Sequence, residues 1–330
     1  MRLIVAHRER LVREALRRTL ARGRFDMVAQ SNDLESLRKD CRKLAPELLL
    51  VELELLGNKA EWLPDLLRCG APVIALASTS AASGAYEAMG NGALGLIEPP
   101  ALDDDGEVIG AQRLLTRMER LVGQVAESPA RRSSVPSVDS GKQARILAIG
   151  ASTGGPLALA RVLADLPPDL DAAVLIVQHI EGEFSGGLVD WLAGQSRMPV
   201  SIAQRGETPE AGRAYLAGPG GHLVLPSTQF GVQAAQADEL HVPGINALFL
   251  SLAQQPSPGA AVILTGMGSD GAAGLGELRR RGWYTLAQDE RSSVVFGMPR
   301  VAIETGAAKQ ALALPAIGPA LVRHFRRKTR

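Results

Sequence analysis

Residues 146–156, ILAIGASTGGP, limit the chain to few folds. Ile146–Ile149 is a short apolar run of the kind that forms a buried strand. It stops at Gly150 in a turn of small residues holding Ser152 and Thr153. Gly154, Gly155 and Pro156 then open the periodic apolar run Leu157–Leu163. Strand, tight turn and helix in that order form the unit from which parallel α/β sheets are built. The turn can present a serine hydroxyl at the end of a sheet, beside the unpaired N–H groups of a helix start. It serves equally as a packing turn or as an anion-binding loop.

The 330 residues suffice for two domains of ordinary size. A hydrophobic share of 46% against 22% charged residues marks a globular chain. The net charge of +1 provides no general attraction to nucleic acid or to an acidic membrane surface. Cys41 and Cys69 form no CxxC pair, and no His/Cys cluster has zinc-site spacing, so both read as buried small residues. MRLIVAHRERLVR reaches charge too early for a secretory signal, and no apolar run has the length of a membrane span. A soluble cytoplasmic protein is the expectation.

In the first third, apolar strands are expected at Leu3–Ala6, Leu48–Val51, Pro72–Ala77 and Ala93–Ile97. Helices are expected over Glu9–Arg22, Asp33–Leu44, Ala60–Leu67, Ala82–Met89 and Glu107–Val122, the second capped by Asn32 or Asp33. This alternation indicates a parallel sheet covered on both faces. Its element order, with Pro46-Glu47 before one strand and Gly92-Ala93 before another, resembles the receiver domain of two-component response regulators. The resemblance implies a flavodoxin-like fold, but the chemistry departs from it. His7 and Arg8 stand where receivers carry the paired acids that hold magnesium. Glu52 replaces the phosphate-accepting aspartate, and Glu98-Pro99 replaces Lys-Pro; Ser78 fits the small hydroxyl position. A hard cation needs carboxylate oxygens, and Arg8 brings positive charge instead. The expectation is a degenerate receiver-like domain over residues 1–122 that is not phosphorylated. Glu52 is either a mimic of a phosphorylated aspartate or a polar residue at a strand end, and the second reading is preferred.

Residues 123–144 are rich in Ser, Pro and Gly and read as a linker. From 145 to 330 a second α/β domain is expected, with strands at Ile146–Ile149, Ala173–Gln178, Ala260–Thr265 and Tyr284–Gln288. Helices fall at Leu157–Leu163, Ser185–Ala193, Ala247–Ala253 and Ala272–Arg281. Shorter strand-like pieces lie at Val200–Ala203 and Ala214–Ala217, and His222–Leu225 with Gly231–Ala234 reads as an antiparallel hairpin. The fold class is therefore a receiver-like domain followed by a doubly wound, mostly parallel α/β domain with an attached hairpin.

Sites in open α/β sheets form beyond the carboxyl ends of the strands. Three such ends offer Ser152, His179 and Asp270. A hydroxyl nucleophile, a base near neutral pKa and an acid to orient the base are what acyl transfer requires. Each has a plainer role available: Ser152 as a turn residue, His179 as a capped strand end, Asp270 as N-cap of the helix near Ala272. Asp289 and Glu290 compete as the acid. His222 and His241 compete as the base, the first placed as structural in the hairpin and the second in a loop able to face substrate. Gly266, Gly268, Gly271 and Gly274 would let backbone approach a ligand, and N–H groups there could form an oxyanion hole.

GASTGG, Gln178-His179, Pro219–His222, the run LTGMGSDGAAG from Leu264 to Gly274, and FGMPR at Phe296–Arg300 occur in an order similar to that of the chemotaxis protein-glutamate methylesterase (CheB-type) family. This resemblance implies Ser152 as nucleophile, His179 as general base and Asp270 as its orienting carboxylate. It further implies the Met267 N–H in an oxyanion hole, and Thr153 supporting the serine–histidine geometry. The implied reaction is hydrolysis of glutamyl methyl esters on the cytoplasmic helices of methyl-accepting receptors, with methanol released, and receptor glutamine deamidation as a second activity. Implied partners are those receptors, with a histidine kinase or other signalling-array proteins; no cofactor, metal or nucleic acid is implied. Two readings compete: a non-catalytic signalling adaptor that keeps the fold, and a phosphate or nucleotide binder, although the loop lacks GxxxxGK[ST]. The segment 239–244, ELHVPG, lacks the arginines that flank this histidine in the family, and the basic end RHFRRKTR reads as a solvated tail.

Overall fold

The structure, a computed structural model, describes the chain except residues 58–61, 78–81, 104, 124–143, 181, 237, 238, 240 and 327–330. Ser78 and nearly all of the expected linker therefore lie outside the described residues. The chain divides into two compact units, Met1–Ala126 and Glu127–Arg330.

In the first unit, β1 (Arg2–Ala6), β2 (Asp26–Ser31), β3 (Leu48–Glu52), β4 (Val73–Leu76) and β5 (Gly95–Ile97) pair in the parallel order β2-β1-β3-β4-β5. That order is the flavodoxin-like one. Leu3–Ala6, Leu48–Val51 and Val73–Leu76 are almost wholly buried, as continuous apolar strands covered on both faces must be. The helices are α1 (Arg10–Leu20), α2 (Leu34–Leu44), α3 (Leu63–Leu67), α4 (Ala82–Gly90) and α5 (Ala111–Gly123). The Asp33 side chain caps α2 by accepting the Ser36 N–H at 2.8 Å.

Two features depart from the sequence expectation. β2 was not expected: DMVAQS lies at the sheet edge, half-buried and partly polar, and so lacks an apolar run. Val108–Ile109 does not belong to the closing helix. It forms β7, antiparallel to β6 (Ala101–Leu102), and α5 starts only after Gly110, which has φ +83°.

The second unit is built on β8 (Ile146–Ala151), β9 (Ala173–Gln178), β10 (Val200–Ile202), β11 (Ala214–Leu216), β14 (Ala260–Ile263), β15 (Tyr284–Gln288) and β16 (Gln310–Leu312). They pair throughout as parallel neighbours in the order β10-β11-β9-β8-β14-β15-β16. β12 (His222–Val224) and β13 (Gly231–Gln233) form the expected antiparallel hairpin. The shorter pieces near 200 and 214 are members of the main sheet, and β16 extends it at the other edge. The chain runs one way from β8 to β9 and later adds β14 on the other side of β8, so the switch point lies beside the Ser152 turn.

Helices α6 (Gly155–Asp165), α7 (Gly182–Gln195), α8 (Ile245–Leu252), α9 (Ala272–Arg280), α10 (Met298–Glu304) and α11 (Leu314–Arg326) complete the unit. Over its described part, 323–326, the basic end forms the last turn of α11: Arg323 and Arg326 are exposed, and Phe325 is buried with Ile317 and Leu321 of the same helix. The Arg145 guanidinium lies 4.7 Å from the Phe325 ring centroid and donates to its carbonyl at 2.8 Å. Among the described residues no helix is long and apolar enough to cross a membrane.

Phe249, Leu248 and Leu252 bury the inner face of α8 in one core with Leu275 and Leu278 of α9. Removing a fully buried aromatic ring costs about 3–5 kcal/mol. Phe249→Ala is therefore expected to lower unfolding stability by about that amount, read from the urea midpoint of the second unit's transition. A loss below about 1 kcal/mol would show that this helix interface is not what holds the unit together.

Candidate active site

Ser152 and His179 are neighbours because β8 and β9 end in register. Ala151 pairs with Gln178, and the His179 N–H donates to the Ala151 carbonyl at 3.0 Å. On the other side of Ser152 its own N–H donates to the Thr265 carbonyl at 3.0 Å, just past β14. The serine is thus seated between the ends of two neighbouring strands, and it is buried, 4% exposed.

Glycines allow that placement. Gly154 turns the chain at φ +79°, a conformation that side chains with a Cβ avoid. A Cβ on Gly155 would stand 1.9 Å from Gln178 Oε1, and one on Gly266 would stand 2.6 Å from Ser152 Cβ. Gln178, buried under this turn, donates through Nε2 to the carbonyls of Ser152 (2.9 Å) and His179 (3.2 Å) and so ties the two strand ends together. On the far side, Thr265 Oγ1 donates to the Thr153 carbonyl at 2.9 Å and accepts the Val295 N–H at 2.9 Å, while its N–H is held by Gln288 Oε1 at 2.8 Å. Thr153 is buried, and its contact to this brace is made by its backbone.

Asp270, in the loop between β14 and α9, meets His179 at Nε2···Oδ2 2.8 Å. The same carboxylate accepts the N–H groups of Ile245 (2.7 Å), Asn246 (3.0 Å) and Gly271 (2.8 Å). The first two are the orphan donors at the start of α8, so the acid caps a helix from outside it, not the helix near Ala272. Burial pushes this carboxyl up. The His179 hydrogen bond and charge, the neighbouring His241 and the Ile245 N–H outweigh burial and hold it well below the usual carboxylate range. An ionised Asp270 fixes the proton of a neutral His179 on Nε2 and leaves the Nδ1 lone pair free to act as a base. Nδ1 is buried and has no partner among the described residues. No hydrogen bond joins Ser152 Oγ to it; such contacts are often long and tighten only when substrate binds.

The remaining candidates separate clearly. Asp289 binds the Ser292 N–H (3.0 Å) and hydroxyl (2.6 Å), and Glu290 is exposed, so neither is the partner of His179. His222 is structural: Nε2 meets Glu239 Oε2 at 2.5 Å, and Nδ1 accepts the Gly244 N–H at 2.9 Å. His241 stacks face to face on His179, ring centroids 4.1 Å apart and 6° from parallel. The Met267 N–H makes no hydrogen bond among the described residues, while its neighbour Gly266 is pinned by Val295, Gly297 and Met298. Of the loop glycines, Gly274 serves packing, its missing Cβ leaving room for Phe249 Cβ at 2.6 Å.

Residues 147–321 match the family model for the CheB methylesterase domain. The chain belongs to the CheB methylesterase family. The protein-glutamate methylesterase/protein-glutamine glutaminase 1 of Bordetella avium is 36% identical to it, over 98% of this chain and 97% of that protein. A namesake from Mesorhizobium japonicum is 34% identical over the whole of both chains. The crystal structure of the Thermotoga maritima CheB methylesterase catalytic domain superposes with a TM-score of 0.53 at 32% identity, covering 55% of this chain and 99% of that one.

In the first unit of this CheB-family chain, Glu52 is buried at the end of β3 and accepts the Arg8 N–H at 2.7 Å. The Arg8 guanidinium lies 3.3 Å from Glu52 Oε1 and pairs also with Glu54, while His7 Nδ1 accepts the Glu9 N–H at 3.1 Å. These donors do not fit a magnesium ion, because a guanidinium already occupies the carboxylates and a basic pair stands where acids are needed. Burial lowers the His7 pKa against the pull of Glu52.

The depressed Asp270 pKa sets the sign of a stability effect. The stabilisation is present above the unfolded carboxylate pKa and is lost as pH falls through the lower folded value. Asp270→Asn is expected to be less stable than wild type at pH 7, with the gap narrowing below about pH 4. Denaturation midpoints measured from pH 7 to pH 3 check this, and a gap that widens throughout would contradict it.

Proposed function

We propose that the chain is a serine-type carboxylic ester hydrolase acting on glutamyl methyl esters of methyl-accepting receptors, with Ser152, His179 and Asp270 as its triad. The observation that carries this reading is the His179 ring, gripped at Nε2 by an ionised Asp270 while buried Nδ1 has no partner among the described residues, next to the Ser152 turn. In the first step Nδ1 takes the Ser152 proton as Oγ attacks the ester carbonyl. The Met267 N–H steadies the oxyanion, and the histidine returns the proton to methoxide, which leaves as methanol. In the second step water gives a proton to the same nitrogen and attacks the acyl-serine, restoring the free glutamate and the hydroxyl. A glutamine side chain entering the same site would lose ammonia, which is the deamidation that the relatives' names describe.

The reading assigns catalysis to residues 145–330 and regulation to 1–122, in a cytoplasmic protein of sensory adaptation. Thr153 supports the serine through its backbone tie to Thr265. The receiver-like unit is not phosphorylated, since Glu52 has neither the chain length of aspartate nor a free carboxylate, both its oxygens being engaged by Arg8. Regulation through this unit then needs an input other than a phosphoryl group.

Base assistance and oxyanion stabilisation contribute on the order of 10²–10⁴-fold and 10²–10³-fold respectively. Ser152→Ala is expected to lose at least about a hundredfold of methanol release from methylated receptor membranes, with its circular dichroism unchanged. Near wild-type release would remove Ser152 as nucleophile; no release from wild type would favour an adaptor that keeps the fold without the chemistry. Incubation of the full chain with magnesium and acetyl phosphate is expected to add no phosphoryl group by intact mass. A stoichiometric adduct on the first unit would overturn the account of Glu52.

A further inference from the structure

The ring of His241 lies flat on the ring of the base, 4.1 Å away and within 6° of parallel. The hydrogen bond from Nε2 to Asp270 fixes one edge of His179 and does not by itself set the plane of the ring. A parallel aromatic face holds that plane. The segment that carries His241 is itself fastened at both ends to buried His222. Glu239 binds His222 Nε2 at 2.5 Å, and the Gly244 N–H binds Nδ1 at 2.9 Å. Gly244 is also the N-cap of α8, whose next two N–H groups hold Asp270. One structural histidine thereby sets both the edge contact and the face contact of the catalytic one.

Near His241 stand the His179 ring, stacked on it, and the Asp270 carboxylate, while Glu239, two residues away, is hydrogen-bonded to His222.

We infer that His241 is a positioning residue, which holds the plane of the His179 imidazole by stacking. The inference rests on the triad reading above. It assigns to the 239–244 segment a role in the rate of the chemical step, beyond access to substrate.

The test uses the full chain and a peptide bearing a glutamyl γ-methyl ester. His241→Ala is expected to lower kcat about 10- to 100-fold with KM changed less than about threefold, because geometry at the base is lost and binding is not. His241→Phe restores the flat face without the titrating group and is expected to keep kcat within about threefold of wild type. In histidine-labelled protein, the ring current of the stacked face is expected to hold the His179 Cε1–H resonance upfield in wild type and in His241→Phe, and His241→Ala is expected to move it downfield. Unchanged kcat in His241→Ala, a Phe variant as impaired as the Ala variant, or a His179 resonance unmoved by His241→Ala would each overturn the inference. Failure of wild type to turn over the ester would count against the proposed function, and the His179 resonance would still decide the stack.

Discussion

The catalytic unit depends on one buried anion. Asp270 is removed from water and keeps its charge because four N–H groups converge on it, from His179, Ile245, Asn246 and Gly271. Two of them are the unpaired donors of a helix start, where the dipole of α8 adds to the hydrogen bonds. The carboxylate thus joins the sheet, through His179 at the end of β9, to the helix layer packed on Phe249. The placement of His179 and the packing of α8 are held by the same contacts, and loss of the anion would loosen both.

Around that anion the sheet topology brings the other groups to one place. β8 lies between β9 and β14, so the serine turn has His179 on one side and the Asp270 loop on the other. Gln178 and Thr265 are the braces. Each is buried, and each donates to a backbone carbonyl of the serine turn. Thr265 is engaged through both Oγ1 and N–H, whereas Gln178 Oε1 is buried without a partner among the described residues.

Much of this was legible from the chain because buried parallel strands leave continuous apolar runs. Ser152 and His179 follow two of them directly, and Asp270 lies in the loop after a third, so all three stood out as strand-end candidates. The choice of Asp270 over Asp289 was not, since both follow strands, and only their hydrogen-bond partners separate them. His241 stood out in the sequence as a loop histidine able to face substrate; its stacking on the base depends on a fold of residues 239–244 that no local pattern encodes. β2 and α11 escaped for a different reason. DMVAQS is half-polar because it is an edge strand, and the arginines closing α11 masked an apolar face of Ile317, Leu321 and Phe325.

The first unit shows a receiver-like strand order in which Arg8 pairs with Glu52 at the end of β3. The central claim, however, concerns the second unit: Ser152 is a nucleophile made reactive by His179. The most direct measurement is labelling of the full chain with a fluorophosphonate probe, followed by peptide mass spectrometry, in wild type and in His179→Ala. The account predicts one adduct on Ser152 in wild type and its loss in the variant. An adduct on another residue, or equal labelling of both proteins, would contradict it.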